Sequence, residues 1–266
     1  MNQNLNNISP VDGRYAKTTK DLNKYFSEAG LIRYRVYIEV QYFIHLYKAK
    51  IPQLQTLTKQ NIIDIENIYN NINDKDIQRI KDIEKITNHD VKAVEYYIKE
   101  EFDTLKLNNY KEFIHFGLTS QDINNTATPL LLKDALINYI IPTIQELIDM
   151  LGKVGKEWVN ISMLARTHGQ PASPTKLGKE IRVFKIRIEE QLNHLLNIPH
   201  SAKFGGATGN LNAHYIAYPK DDWHDFSKVF LKHLGLHRSY PTTQIEHYDN
   251  LAAQFDAIKR INTILI

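Results

Sequence analysis

Apolar residues recur at helical spacing along nearly the whole chain, and runs alternating with the period of two that a half-buried strand needs are rare. Only 11 glycines and 9 prolines punctuate the 266 residues, so the pattern has few forced breaks. The fold class this points to is all-α. Helices are expected over 22–48, 58–71, 74–86, 90–102, from 120 to about 159, and over 176–196, 222–234 and 248–266. Pro142 should kink or split the fifth of these, because an interior proline removes a backbone bond and collides with the preceding turn. Segments 1–20 and 200–218 read as irregular, and the polar stretch 106–110 as a domain boundary. The end, Ile261-Asn262-Thr263-Ile264-Leu265-Ile266, is an apolar helical stretch without a stop signal, so it is expected to continue or to pack against another chain.

A chain of this length can bury a sizeable core. Its 42% hydrophobic and 24% charged residues are ordinary for a globular protein. Thirty-three basic against thirty acidic residues leave a net charge of +3, which makes no case for nucleic acid but leaves room for a local cationic pocket. The absence of cysteine excludes disulfides, thiol catalysis and thiolate-bound zinc. No run has the apolar length of a membrane span, and Met1-Asn2-Gln3-Asn4-Leu5 lacks the regions of a secretory signal, so a cytoplasmic protein is expected.

Chemistry concentrates in short blocks. In Thr167-His168-Gly169-Gln170-Pro171-Ala172 an imidazole sits on irregular backbone between helical segments, where it can exchange a proton near neutral pH or simply satisfy loop hydrogen bonds. Asn88-His89-Asp90 precedes a helix. Asp90 reads as its N-cap, or Asn88 and His89 project toward a ligand at a helix start that favours anions. One histidine and one aspartate do not make a metal site. Gly117-Leu118-Thr119-Ser120-Gln121-Asp122 is either an N-cap box or a set of hydroxyls and amides that holds a carboxylate. His115 lines the same cavity or packs in the core. Arg14-Tyr15 follows a Pro-x-Asp-Gly turn; its guanidinium suits a carboxylate or phosphate, against the ordinary reading of a surface arginine.

Gly205-Gly206-Ala207-Thr208-Gly209 matches neither a Walker loop nor a dinucleotide fingerprint. His233 and His237 lack a third ligand. Neither a metal nor a cofactor is called for.

Thr119-Ser120-Gln121-Asp122, Arg166-Thr167-His168-Gly169-Gln170-Pro171-Ala172 and Thr243-Gln244-Ile245-Glu246 occur in order. They are joined by Ser9-Pro10-Val11-Asp12-Gly13-Arg14-Tyr15 and by Thr87-Asn88-His89-Asp90-Val91-Lys92-Ala93-Val94-Glu95-Tyr96. Together these blocks resemble the adenylosuccinate lyase family of the fumarase/aspartase superfamily, over essentially the whole chain. The resemblance implies a small N-terminal helical domain, 1–110, followed by a central long-helix bundle, 111–266, incomplete at its C-terminal end. It also implies a homotetramer whose active sites are shared between subunits. The implied reaction is anti β-elimination of fumarate from adenylosuccinate, giving AMP, and from the succinyl-carboxamide imidazole ribotide of purine biosynthesis.

By that resemblance His168 is the general acid for the leaving nitrogen. Thr119 and Ser120 hold a substrate carboxylate, and Arg14, Tyr15, Asn88, His89 and Asp90 hold the nucleotide and its phosphate. Gln244 binds substrate from another subunit, with His115 a second-tier candidate. The family's catalytic base is a serine on a mobile loop downstream of residue 266, so this stretch alone is expected to be incompetent. Another superfamily member, such as an argininosuccinate lyase, is disfavoured by the blocks at 9–15 and 87–90. An inactive helical scaffold is disfavoured by the retention of His168, Thr119 and Ser120.

Overall fold

The computed structural model describes residues 7–266, and the opening pentapeptide considered above lies outside them. After short helical turns between Ala16 and Phe26 come α1 (Glu28–Lys48), α2 (Lys59–Asn70), α3 (Asp74–Thr87), α4 (Asp90–Thr104) and α5 (Ser120–Ala135). Then follow α6 (Ile141–Glu157), β1 (Ser162–Thr167), β2 (Gln170–Lys176), α7 (Leu177–Leu196), β3 (Ser201–Ala202) and α8 (Asn212–Ala217). The chain closes with α9 (Trp223–His233), β4 (His237–Arg238) and α10 (Asp249–Leu265). Contacts divide it into two units. One runs to Lys133 and resumes over His200–His247; the other comprises Asp134–Pro199 and Tyr248–Ile266.

In the first unit α1 is the central helix. Every residue from Ile38 to Ile44 is buried, the mark of a helix covered on all sides. α2 and α3 show one buried stripe each, Ile65 and Ile68 in one, Ile77, Ile80 and Ile83 in the other. Both start at capping boxes, Thr58 with Asn61 and Asn73 with Asp76, which satisfy backbone N–H groups that the first turn leaves unpaired. Residues 200–247 complete this core. Phe204 and Phe230 pack on Tyr42 with ring centroids 5.4 and 5.9 Å away, and β3 pairs in parallel with β4.

In the second unit α6 and α7 approach through Gly155 and Gly178; a Cβ on Gly178 would overlap the Gly155 carbonyl oxygen. At Pro142 the regular α-helical bonding is interrupted without the helix ending: α5 runs to Ala135, a π-helical turn spans Leu136–Ile140 and α6 resumes at Ile141, with Ala135, Ile140 and Ile141 all in the right-handed helical region.

The expectation of irregular backbone around His168, between the helix ending near 159 and the one starting at 176, is corrected at 162–176, where β1 and β2 form an antiparallel hairpin. His168 and Gly169 both take positive φ, 48° and 75°, as the two-residue turn of a twisted hairpin requires. Pro171 and Pro174 argue against a strand in the sequence. A two-stranded sheet has only edges, however, and there a missing donor is tolerated. The fold remains mostly helical, with two small two-stranded sheets among the described residues.

Gly178→Ala is expected to destabilise the protein by about 1–3 kcal/mol through overpacking between α6 and α7. A melting temperature equal to wild type would show that the two helices part without cost.

Candidate functional site

Asn88 ends α3 in the left-handed region, with φ 51°, and so turns the chain for α4 to begin at once. The cap of α4 is His89 rather than Asp90, a correction to the sequence reading. His89 Nδ1 accepts the Lys92 N–H at 3.1 Å, which leaves the ring hydrogen on Nε2, 3.2 Å from Ser120 Oγ. Asp90 is thereby released for a longer reach. Its carboxylate lies 2.6 Å from Arg35 Nη2, and Arg35 Nε donates to Asn124 Oδ1 at 2.9 Å. One buried guanidinium thus joins α1, α4 and α5. The start of α4 and the start of α5 meet, placing an imidazole and the Ser120 hydroxyl at helix N-termini that favour an anion.

Thr119 and Ser120 are half-buried at the head of α5. Behind them Asp122 is fully buried. Its Oδ2 accepts the Thr119 N–H at 2.9 Å, the reciprocal half of a capping box. Its Oδ1 accepts Lys203 Nζ at 2.7 Å and the Gly205 N–H at 2.8 Å, and Gly206 N–H reaches both oxygens at 3.1 Å. Burial pulls the Lys203 pKa below its ordinary value, against the opposing pull of Asp122.

Two histidines flank this turn in opposite states. His115, with φ 57°, bonds through Nδ1 to Glu39 at 2.5 Å. Burial resists its charge, yet the Glu39 carboxylate, aided by Glu95, holds its pKa above the ordinary value. His214 is wholly buried against Gly117, where a Cβ would stand 2.7 Å from the ring. The Tyr42 hydroxyl donates to the Phe116 carbonyl at 2.6 Å, so His214 Nε2, 2.9 Å from that hydroxyl, must be the donor to it. Nδ1 is then a bare acceptor, buried without a partner. Protonating it would bury an unsatisfied N–H, and burial accordingly lowers the His214 pKa to about 4, Asp122 only partly offsetting this.

The remaining sequence candidates are placed as follows. Arg14 and Tyr15 are exposed, the guanidinium 5.8 Å from the ring centroid, and among the described residues no bond ties them to the other candidates. Gln244 is exposed on the segment after β4. That segment lies close over the glycine loop, since a Cβ on Gly209 would overlap the Thr242 carbonyl. His168 is exposed at the tip of the β1–β2 turn, in the second unit. Within the first unit the structure thus brings His89, with Asn88 and Asp90 beside it, to Ser120 and Thr119; among the described residues Arg14, Tyr15 and Gln244 show no bond to this group, and His168 belongs to the second unit. Sequence reasoning did not find Lys203, His214, Arg35 or Glu39; only the lysine between Ala202 and Phe204 carried a signal, a charge amid apolar neighbours. Three of the seven non-glycine residues with positive φ among the described residues, Asn88, His115 and His168, belong to the candidate set. Among the described residues no cluster of three or more His, Asp or Glu could hold a metal, and no helix is long and apolar enough to cross a membrane.

Because the folded His214 binds its proton only near pH 4, the unfolded chain protonates first. The contribution of His214 to stability is full above about pH 6.5 and falls as the pH drops toward 4, opposite in sign to that of His115, whose raised pKa adds stability as the pH falls. His214→Gln, which keeps a donor for Tyr42, should flatten part of that fall in melting temperature. An unchanged slope would remove His214 from the acid response.

A family model described as Lyase matches residues 13–266. The chain is 53% identical to a protein of Dictyostelium discoideum named adenylosuccinate lyase, over 99% of this chain and 58% of that protein. It is 45% identical to one of the same name from Vibrio cholerae, over 98% of this chain and 58% of that protein. Among solved structures, a fumarate lyase from Mesorhizobium sp. BNC1 superposes with a TM-score of 0.74 at 19% identity, over 92% of this chain and 55% of that one, which speaks for the fold alone. The chain thus spans a little over half the length of the curated relatives it matches, 58%.

Proposed function

The chain belongs to this lyase family, and on that premise we propose that the whole protein is an adenylosuccinate lyase. The observation that carries the reading is the similarity to proteins of that name along 98–99% of this chain. The local meeting of His89 with Ser120 supports it. The reaction would release fumarate from adenylosuccinate to give AMP, and from the succinyl-carboxamide ribotide of purine biosynthesis.

In the elimination a base takes the proton from the carbon beside a carboxylate, and the electron pair left behind forms the carbon–carbon double bond as the C–N bond breaks. The departing nitrogen then takes a proton. Negative charge accumulates on the carboxylate in the transition state, so fixed donors are needed there. Thr119 and Ser120 supply hydroxyls at the head of α5, with His89 Nε2 holding Ser120 Oγ at 3.2 Å. Asn88 and Asp90 border the nucleotide, Asp90 with its charge taken up by Arg35. Arg14 and Tyr15 take the phosphate, and Gln244 reaches the substrate of another subunit. His168 gives its proton to the nitrogen; exposure at a hairpin tip suits a group that acts on a substrate held elsewhere in an assembly. The base is the serine that the family resemblance places downstream. Division into 1–110 and 111–266, a homotetramer with shared sites, and a cytoplasmic location belong to the same proposal.

Fumarate release from adenylosuccinate by the whole protein tests this reading, and no release would overturn it. The 266 residues alone should release none. His168→Ala is expected to lower kcat by about 10²–10⁴ with the assembly intact, the usual worth of a general acid. Unchanged turnover would remove His168 from the mechanism. Arg14→Ala should raise KM for adenylosuccinate, and an unaltered KM would refute the phosphate assignment.

A further inference from the structure

The glycine run 205–209 has no part in the reading above, and neither has Lys203. Both end on one carboxylate. Asp122 and Lys203 are each 0% exposed at the side chain, and the ion pair between them is 2.7 Å long. Such a pair is a poor source of stability, because taking both charges out of water costs about as much as their attraction returns. It does impose geometry. The two Asp122 oxygens receive the Thr119, Gly205 and Gly206 N–H groups as well as the ammonium. Lys203 also donates to the Gly206 carbonyl at 2.5 Å. The carboxylate is saturated, so it has no lone pair aimed at a ligand and no role as a base.

Its contacts bind two loops that are remote in sequence. One carries Thr119 and Ser120. The other is the glycine loop, whose Gly206 takes φ 71° and whose Gly209 lies under the Thr242 carbonyl of the segment carrying Gln244. A side chain at Gly209 would collide with that carbonyl, and one at Gly206 would be strained by the positive φ.

We propose that Asp122 and Lys203 are a positioning pair, a buried clamp that sets the Thr119–Ser120 turn against the 205–209 loop so that its hydroxyls are preorganised for a substrate carboxylate. This rests on the function proposed above, and neither residue touches substrate. Donors held in advance bind without reorganising, so loosening the clamp weakens carboxylate binding while leaving the nucleotide contacts in place.

The test is a double-mutant cycle in the whole protein, read as KM for adenylosuccinate, kcat, and the inhibition constant of fumarate. Asp122→Asn keeps the shape of the clamp and removes its charge. The double variant Asp122→Asn with Lys203→Met removes both charges and leaves no buried cation unpaired. Each is combined with Ser120→Ala. A clamp that acts through Ser120 predicts non-additive effects: Ser120→Ala weakens fumarate binding in the wild type and does so at least about fivefold less in either clamp variant. Additive losses, or unchanged fumarate binding in a folded clamp variant, would overturn the proposal. Failure of both clamp variants to fold would overturn it too, since the pair would then serve the fold and nothing else. A wild-type protein that releases no fumarate would instead bring down the functional reading, and the inference with it. Wild-type activity alone therefore tells the two failures apart.

Discussion

A carboxylate shut away from water at the head of α5 makes the strictest demand in the first unit. Burying a carboxylate there is costly unless its oxygens are filled, and the chain fills those of Asp122 from residues 81 to 84 positions away as well as from its own turn. That requirement brings 200–247 back onto the helices of 7–133. The aromatic cluster of Tyr42, Phe204 and Phe230 supplies the apolar burial that makes the return favourable. The ion pair decides the register with which it happens. Apolar packing tolerates sliding; a carboxylate holding an ammonium and three N–H groups does not.

The histidines show how environment, not residue type, assigns chemistry. His214 is held neutral, because its one donor is spent on Tyr42 and its other nitrogen faces no partner. His115 is biased toward its charged form by the Glu39 carboxylate at 2.5 Å. His89 spends Nδ1 on capping α4 and turns Nε2 to Ser120. His168 stands exposed on a turn that holds its backbone at positive φ. Of these four, only His89 and His168 are exposed, which agrees with the roles proposed for them.

Much of the fold was legible because its signals are local. Thr58, Asn73 and the buried isoleucines of α3 lie within one or two turns of what they determine, so spacing alone places those helices to within a residue or two. The interruption near Pro142 was equally local. The 162–176 hairpin was not legible, since its prolines and its His-Gly turn fit no alternating pattern. The candidate blocks at 88–90, 119–120 and 167–172 could be recognised as motifs, but their order along the chain said nothing of which would touch.

Sequence by itself therefore determined the helical class, the main helix positions and the residue types available for chemistry. Each depends on neighbours within a few residues. Tertiary structure alone decided that His89 rather than Asp90 caps α4, that Asp90 answers Arg35, and that Lys203 answers Asp122. It also decided that His214 sits under Gly117 with its Nε2 hydrogen given to Tyr42. Those partners are separated by 55, 81 and 172 residues for Arg35–Asp90, Lys203–Asp122 and Tyr42–His214. No periodicity reaches that far. What selects such partners is the free-energy cost of burying a charge or an N–H alone, and that cost exists only once the chain has closed around it.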